Sequence, residues 1–128
     1  MRRVLFVEDS DEARELYGAV IRREGLHVDE AANLGAAMDA TAGGLPDLLL
    51  LDRDLPDGDG FELARQLKSG ERTRSIPILA FTSHTMKRDV MAARSAGCDG
   101  FLAKPTTPAN LVAELKRLLG VVDHAAAG

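Results

Sequence analysis

Residues 47–60 are Asp-Leu-Leu-Leu-Leu-Asp-Arg-Asp-Leu-Pro-Asp-Gly-Asp-Gly, and this stretch decides the fold. Four consecutive leucines are typical of a strand buried on both faces, as in a parallel sheet, although a buried helix segment has the same composition. Pro46 before the leucines, and Pro56 with two glycines after them, bound the run tightly and favour the strand. Asp52 then lies at the carboxyl edge of that strand, where ligands bind in open α/β sheets. An aspartate at this place is a turn residue, a metal ligand or a nucleophile.

The composition describes one soluble globular domain. The chain has 128 residues, of which 45% are hydrophobic and 28% charged, and we expect a domain over residues 1–122 with a short tail at 123–128. The net charge of −4 argues against direct binding of nucleic acid. The single cysteine, Cys98, excludes an internal disulfide and fits a reducing compartment, so we expect a cytoplasmic protein. Neither a signal peptide nor an apolar run of about 20 residues is present, so we expect no membrane association.

Strands and helices alternate along the chain. Apolar runs predict strands at 3–7, 27–32, 48–51, 76–81 and 100–103, the second of them at an edge because it carries charge. Ser10, Asn33, Asp59 and Thr107 are placed to cap the helices that follow, and Asp59 with Glu62 has capping-box spacing. Helices are predicted from Ser10 to Gly25, at 34–41, from Asp59 to Lys68, at 88–96 and from Pro108 onward. Five β-α units of this kind predict a parallel sheet with helices on both faces and right-handed crossovers.

Polar side chains follow four of these strands. They are Glu8 and Asp9, Asp52, Thr82 and Lys104. Because parallel strands point the same way, we expect these side chains to meet at one edge of the sheet. Three neighbouring carboxylates repel one another, and Mg²⁺ removes the repulsion while binding a phosphate oxygen. The arrangement therefore favours phosphoryl transfer to Asp52, with Lys104 pairing with the phosphoryl group and the Thr82 hydroxyl hydrogen-bonding to it.

These residues at these places resemble the receiver domain of two-component response regulators, over about residues 3–120. The resemblance implies a flavodoxin-like (βα)5 fold, doubly wound, with strand order 2-1-3-4-5. It implies that Asp52 is the phosphoacceptor and that Asp9 is a direct Mg²⁺ ligand. It further implies that Glu8 acts mainly through water and that the backbone carbonyl of Asp54 completes the protein ligands.

The resemblance also assigns positions on the later strands. Thr82 matches the switch hydroxyl, Phe101 the switch aromatic and Lys104 the phosphate-pairing lysine. The Lys104–Pro105 bond is expected to be cis, a form nearly confined to proline. His84, two residues after Thr82, and Asp54, two after Asp52, match positions that tune the lifetime of the phosphoryl group.

The function that the resemblance implies is a signalling switch rather than a conventional enzyme. A sensor histidine kinase or a histidine phosphotransfer protein would donate the phosphoryl group. Phosphorylation would then remodel the surface of the fourth helix, fifth strand and fifth helix. The partner of that surface is an unknown output protein or an effector domain absent from this chain.

Two alternatives remain open from the sequence. Asp52-Arg53-Asp54 is also the D-x-D pattern of haloacid-dehalogenase-like phosphatases, with the first Asp as nucleophile and the second as general acid. Against that function, the pattern should come on the first strand, where Glu8 and Asp9 stand instead. The other alternative is a receiver-fold interaction module that works without phosphorylation, and the complete set of site residues argues against it.

Overall fold

The structure of the chain, a computed structural model, describes residues 2–120. The strands are β1 Arg3–Val7, β2 His27–Ala31, β3 Leu48–Leu51, β4 Asp54–Leu55, β5 Gly58–Asp59, β6 Ile78–Thr82 and β7 Gly100–Ala103. The helices are α1 Asp11–Arg23, α2 Leu34–Gly43, α3 Gly60–Ser69, α4 Lys87–Ser95 and α5 Pro108–Leu119. The tail predicted at 123–128, and the domain end predicted at 122, lie outside the described residues.

Five strands form one parallel sheet in the order β2-β1-β3-β6-β7. Counting these five strands alone, this is the predicted order 2-1-3-4-5, so the predicted fold class is confirmed. The two short strands β4 and β5 form a separate antiparallel hairpin directly after β3. The sequence did not predict this hairpin, because two-residue strands leave no periodicity to detect.

The leucine run of β3 lies at the centre of the core. All four leucines are fully buried. Leu48 and Leu50 pack on the side of α1 and α5, whereas Leu49 and Leu51 pack on the side of α2, α3 and α4. Burial of a leucine side chain stabilises a fold by about 1.5–3 kcal/mol. A strand buried on both faces therefore holds both helical layers on the sheet and fixes the position of its carboxyl end.

The predicted helix caps are present, with one difference at α3. The side chains of Ser10, Asn33 and Thr107 each accept a hydrogen bond from the backbone N–H three residues later. Asp59 caps α3 by accepting from the N–H of Phe61 at 2.9 Å. The capping box predicted there was wrong, because Glu62 pairs with Arg65 one turn along the helix.

Several element boundaries differ from the prediction. The fourth strand of the sheet, β6, begins at Ile78 rather than at residue 76 and includes Thr82, which pairs with Ala103 of β7. Thr82 is therefore the last residue of the strand, which ends one residue later than predicted. α2 extends to Gly43, two residues past the predicted end, and α4 begins one residue earlier than predicted. Among the helices described in residues 2–120, none combines the length and the apolar composition that a membrane span requires.

Candidate functional site

The carboxyl ends of β1, β3, β6 and β7 bring the predicted site residues together. Hydrogen bonds continue the sheet by one residue beyond the strands: the Glu8 N–H donates to Ala31 and the Asp52 N–H to Val7, at 2.9 and 3.0 Å. The Lys104 N–H donates to the Thr82 carbonyl at 2.9 Å. Since the sheet holds the backbone of each residue, the side chains start from fixed points at one edge of the sheet.

Three carboxylates form the acidic part of the site. Glu8, Asp9 and Asp52 each place an oxygen within 4.8 Å of the other two. Glu8 and Asp52 are buried, at 1% and 6% exposure, whereas Asp9 is exposed to solvent. The cluster is thus reached from solvent on the side of Asp9, and its two other carboxylates have lost most of their water.

Lys104 supplies the positive charge of the site. Its ammonium group contacts the Glu8 carboxylate and lies 3.3 Å from Oδ2 of Asp52. The same nitrogen lies 5.5 Å above the centre of the Phe81 ring. The lysine is largely buried, so its charge is only weakly screened by solvent.

Burial and this lysine act in opposite directions on the acidic groups. Burial raises the pKa of Glu8, and the hydrogen bonds from Lys104 and from the Ser10 N–H oppose that shift without cancelling it. Burial likewise raises the pKa of Asp52, against the opposing charge of Lys104. Burial lowers the pKa of Lys104, but the hydrogen bond to Glu8 and the charge of Asp52 outweigh it, so the net pKa is raised. Lys104 therefore stays charged at neutral pH, and one ammonium serves two carboxylates.

The donor set fits a hard divalent cation. Mg²⁺ takes oxygen ligands and keeps several waters. This suits the cluster, which has one solvent-exposed and two buried carboxylates but only the positive charge of Lys104 beside them. Asp54, predicted to add its backbone carbonyl, is the first residue of β4, and its side chain is 65% exposed. The ligand role of that carbonyl stays a prediction.

The remaining predicted residues lie around this cluster. Thr82 is buried, and its hydroxyl accepts a hydrogen bond from the His84 N–H at 3.2 Å. Phe101 is half-buried against the core on the side of α2, α3 and α4. The bond between Lys104 and Pro105 is cis.

Two of the predicted residues meet in a way that the sequence did not reveal. The imidazole of His84 contacts the carboxylate of Asp54, and both side chains are more than half exposed. Asp54 begins the hairpin strand β4, whereas His84 lies in the loop after β6. The only sequence signal was that each lies two residues past a predicted site residue.

The loop between β3 and α3 is anchored by residues that sequence reasoning did not single out. The Gly60 N–H donates to the Arg53 carbonyl at 2.7 Å. A methyl group on Gly60 would lie 2.1 Å from the Asp52 carbonyl oxygen, so only glycine fits this close approach. Asp57, in the hairpin turn, accepts hydrogen bonds from the N–H groups of Leu34 and Gly35 at 2.8 and 3.0 Å, which ties the loop to the start of α2.

The turn after β1 is held by another unpredicted residue. Nη1 of Arg14 donates to the Glu8 carbonyl at 2.6 Å, and its Nε lies 3.3 Å from the Glu30 carboxylate. This side chain fixes the turn that carries two of the three carboxylates. Nothing in the sequence distinguishes Arg14 from an ordinary surface arginine of an amphipathic helix.

The fold and the site together define a class of protein. A doubly wound five-stranded parallel sheet carries an acidic cluster, a hydroxyl and a lysine at its carboxyl edge. The family model described as the response regulator receiver domain matches residues 4–116. The chain belongs to this family, the receiver domains of two-component response regulators.

Individual relatives agree with the assignment. The chain is 32% identical to the polar-differentiation response regulator DivK of Brucella anthropi over 117 residues, which is 91% of this chain and 95% of DivK. It is 34% identical over 118 residues to the phosphate regulon transcriptional regulatory protein PhoB of Escherichia coli K12, covering 92% of this chain but 52% of PhoB. The chain thus spans about half the length of PhoB.

A solved structure matches closely. The receiver domain of sensor histidine kinase PA1611 from Pseudomonas aeruginosa PAO1 superposes with a TM-score of 0.86 at 30% identity, covering 93% of this chain and 98% of that one. That structure is described with a magnesium ion coordinated in the active site cleft.

Proposed function

We propose that this receiver accepts a phosphoryl group from a phosphohistidine donor onto Asp52. The observation that carries the proposal is the surroundings of Asp52: a buried carboxylate, 3.3 Å from the Lys104 ammonium, that shares a cluster with Glu8 and Asp9. A carboxylate that has lost water and faces a fixed cation is a suitable acceptor for an anionic group.

An oxygen of Asp52 attacks the phosphorus atom, the bond from phosphorus to the donor imidazole nitrogen breaks, and an acyl phosphate forms. Lys104 then pairs with the phosphoryl oxygens, since its ammonium already lies beside Asp52. Mg²⁺, held by Asp9, Asp52 and the Asp54 carbonyl with Glu8 acting through water, would neutralise charge on the phosphoryl oxygens.

Phosphorylation switches the output surface through Thr82. The Thr82 hydroxyl accepts from the His84 N–H and is also free to donate its proton, and the phosphoryl group supplies a strong acceptor for that proton. Movement of Thr82 toward Asp52 frees space at β6, and Phe101 on the neighbouring strand moves inward. The surface formed by α4, β7 and α5 changes shape and binds the output partner.

The lifetime of the phosphoryl group depends on Asp54 and His84. Their side chains contact each other while remaining more than half exposed, and each lies two residues past a site residue, Thr82 or Asp52. Water must reach the acyl phosphate for hydrolysis. Replacement of either side chain by alanine is therefore expected to change the rate of phosphoryl loss.

The donor we propose is a sensor histidine kinase or a histidine phosphotransfer protein. An unidentified output protein, or an effector domain joined to this receiver, takes up the signal. The single cysteine, Cys98, is compatible with the cytoplasm, where such a donor would be met.

The test is intact-mass measurement after incubation with Mg²⁺ and acetyl phosphate. We expect one phosphoryl group on the native chain, none without Mg²⁺ and none on Asp52→Asn. The matched control is Asp39→Asn, which removes an exposed aspartate on α2 and should be phosphorylated like the native chain.

Other outcomes would identify the alternatives. Steady release of phosphate without an adduct would support a phosphatase that uses Asp52 and Asp54. Absence of adduct, turnover and Mg²⁺ binding would support an interaction module that works without phosphorylation.

A further inference from the structure

The arginine next to the proposed phosphoacceptor joins three parts of the molecule. The Arg53 guanidinium lies 4.8 Å above the Phe61 ring. Its Nε lies 3.4 Å from Asp59, the N-cap of α3, and its Nη1 lies 3.5 Å from Asp89 in the first turn of α4. A planar guanidinium can stack its face on a ring while its N–H groups point toward two carboxylates.

Helix α4 has few other attachments at its N-terminal end. Ala93 is the buried residue within the helix, and the side chains of Met86 and Met91 are more than half exposed. In the first turn, Val90 is half-buried and the Asp89 side chain is only 13% exposed. Its carboxylate accepts a hydrogen bond from the Met86 N–H at 2.9 Å and faces Arg53. This carboxylate therefore ties the first turn of α4 to the arginine that follows Asp52.

The other end of the connection reaches the acceptor. Arg53 follows Asp52 directly in the chain, and its carbonyl accepts the hydrogen bond from the Gly60 N–H at 2.7 Å, so its backbone is held beside the Asp52 carboxylate. A change at that carboxylate, such as cation binding or formation of the acyl phosphate, acts directly on the backbone of Arg53. Displacement of this backbone moves the guanidinium relative to Asp89.

We propose that Arg53 is a positioning residue whose ion pair with Asp89 couples the Asp52 site to the first turn of α4. The proposal rests on the proposed function for its phosphorylation-dependent part. Coupling between two places is reciprocal, so a change at α4 must also alter binding at Asp52. A purely structural arginine would instead act through Asp59 and Phe61 on α3, and substitution of Asp89 would then leave the site unchanged.

The experiment uses the full chain, with Arg53→Gln and Asp89→Asn as variants. Asparagine at 89 retains an oxygen for the Met86 N–H but loses the charge that faces Arg53. The matched control is Arg65→Gln, which breaks the exposed pair with Glu62 on α3. Amide hydrogen exchange over residues 84–95 is compared, and Mg²⁺ affinity is measured for the native chain, Asp89→Asn and the control.

In the unphosphorylated chain we expect exchange of these amides to be about two- to five-fold faster in both variants. This is the effect expected from the loss of one partly exposed ion pair. We expect about two- to five-fold weaker Mg²⁺ binding in Asp89→Asn, although Asp89 lies outside the acidic cluster. In an Arg53→Gln background, Asp89→Asn should have no further effect on exchange. The control should match the native chain in both measurements.

The proposal is overturned if Asp89→Asn exchanges and binds Mg²⁺ like the native chain. Phosphorylation, followed by intact mass in the same samples, separates this result from failure of the proposed function. An adduct on the native chain with equal exchange in all variants refutes the coupling alone. No adduct on the native chain refutes the proposed function. In that case, faster exchange of α4 in both variants would still support the role of the ion pair between Arg53 and Asp89.

Discussion

The close approach of Gly60 to Asp52 gives a prediction whose size follows from the structure. In Gly60→Ala, the new methyl carbon would lie 2.1 Å from the carbonyl oxygen of Asp52 and 3.1 Å from its carbonyl carbon. A tolerable separation is at least 3.0 Å, so the two backbone segments must move apart by about 0.9 Å. Neither segment is loose, because Gly60 donates to the Arg53 carbonyl and Asp52 donates to Val7 in β1.

Overpacking of this kind costs about 1–3 kcal/mol, and we expect about 3 kcal/mol because both sides of the clash are hydrogen-bonded backbone. With a urea dependence of about 2 kcal/mol per molar, the midpoint of unfolding falls by about 1.5 M. The displaced segment carries Asp52, the proposed phosphoacceptor. A misplacement of about 1 Å at a reacting group lowers its rate by about 100-fold, so phosphorylation by acetyl phosphate should be slowed to that extent.

Urea unfolding followed by circular dichroism gives the first quantity, and intact mass against time gives the second. The matched control is Gly43→Ala at the end of α2, where a methyl group meets nothing within 4 Å. We expect that variant to be as stable as the native chain or about 0.5–1 kcal/mol more stable. The reasoning is refuted if Gly60→Ala unfolds within about 0.5 kcal/mol of the native chain and is phosphorylated at the native rate.

Three further predictions concern the core, the thiol and acid stability. Leu50→Ala should lower the free energy of unfolding by about 2–5 kcal/mol in urea titrations, because Leu50 is fully buried. Leu16 is exposed, so Leu16→Ala should change that free energy by about 0.5 kcal/mol at most. Equal effects of the two substitutions would contradict the packing described. Burial raises the pKa of Cys98 to about 12. Because the thiolate is the reacting form, at pH 8 the folded chain should react with a thiol reagent roughly a thousand-fold more slowly than the urea-unfolded chain. Similar rates for the two chains would show an accessible thiolate. Hydrogen bonds from the backbone N–H groups of Gly35 and Leu34 lower the pKa of Asp57. Its ionised carboxylate therefore stabilises the fold above about pH 4, and this contribution disappears as the pH falls through the lowered pKa. The stability difference between native and Asp57→Ala chains should therefore be constant near pH 7 and shrink toward pH 3, and a difference independent of pH would exclude the charge as its cause.

Much of the fold followed from the sequence because its main signals are local and strong. The run Leu48–Leu51 is continuously apolar and bounded by prolines, which favours a short strand, and all four leucines are buried. Capping residues such as Ser10 and Thr107 stand directly before amphipathic patterns and mark where the helices begin. The site cluster followed in turn, since parallel strands place their carboxyl ends at one edge.

The contacts between loops did not follow from the sequence. Asp57 binds the N-terminus of α2, and its partners precede it by more than 20 residues. The contact of Arg53 with Asp89 has no signal in the sequence, because Asp89 lies 36 positions later in a separate helix. The capping box at Asp59 failed for a related reason: Glu62 had a nearer cation in Arg65. Spacing along the chain identifies candidate pairs, but competition among partners is decided in three dimensions.

The single ammonium group shared by Glu8 and Asp52 also has a consequence for biosynthesis. Lys104 follows the last strand of the sheet and is 96 residues from Glu8 and 52 from Asp52 along the chain. While the ribosome is still making β7, the growing polypeptide already contains both acids but lacks the cation that they share. The site therefore receives the side-chain cation shared by its two buried acids only after the last strand of the sheet has been synthesised.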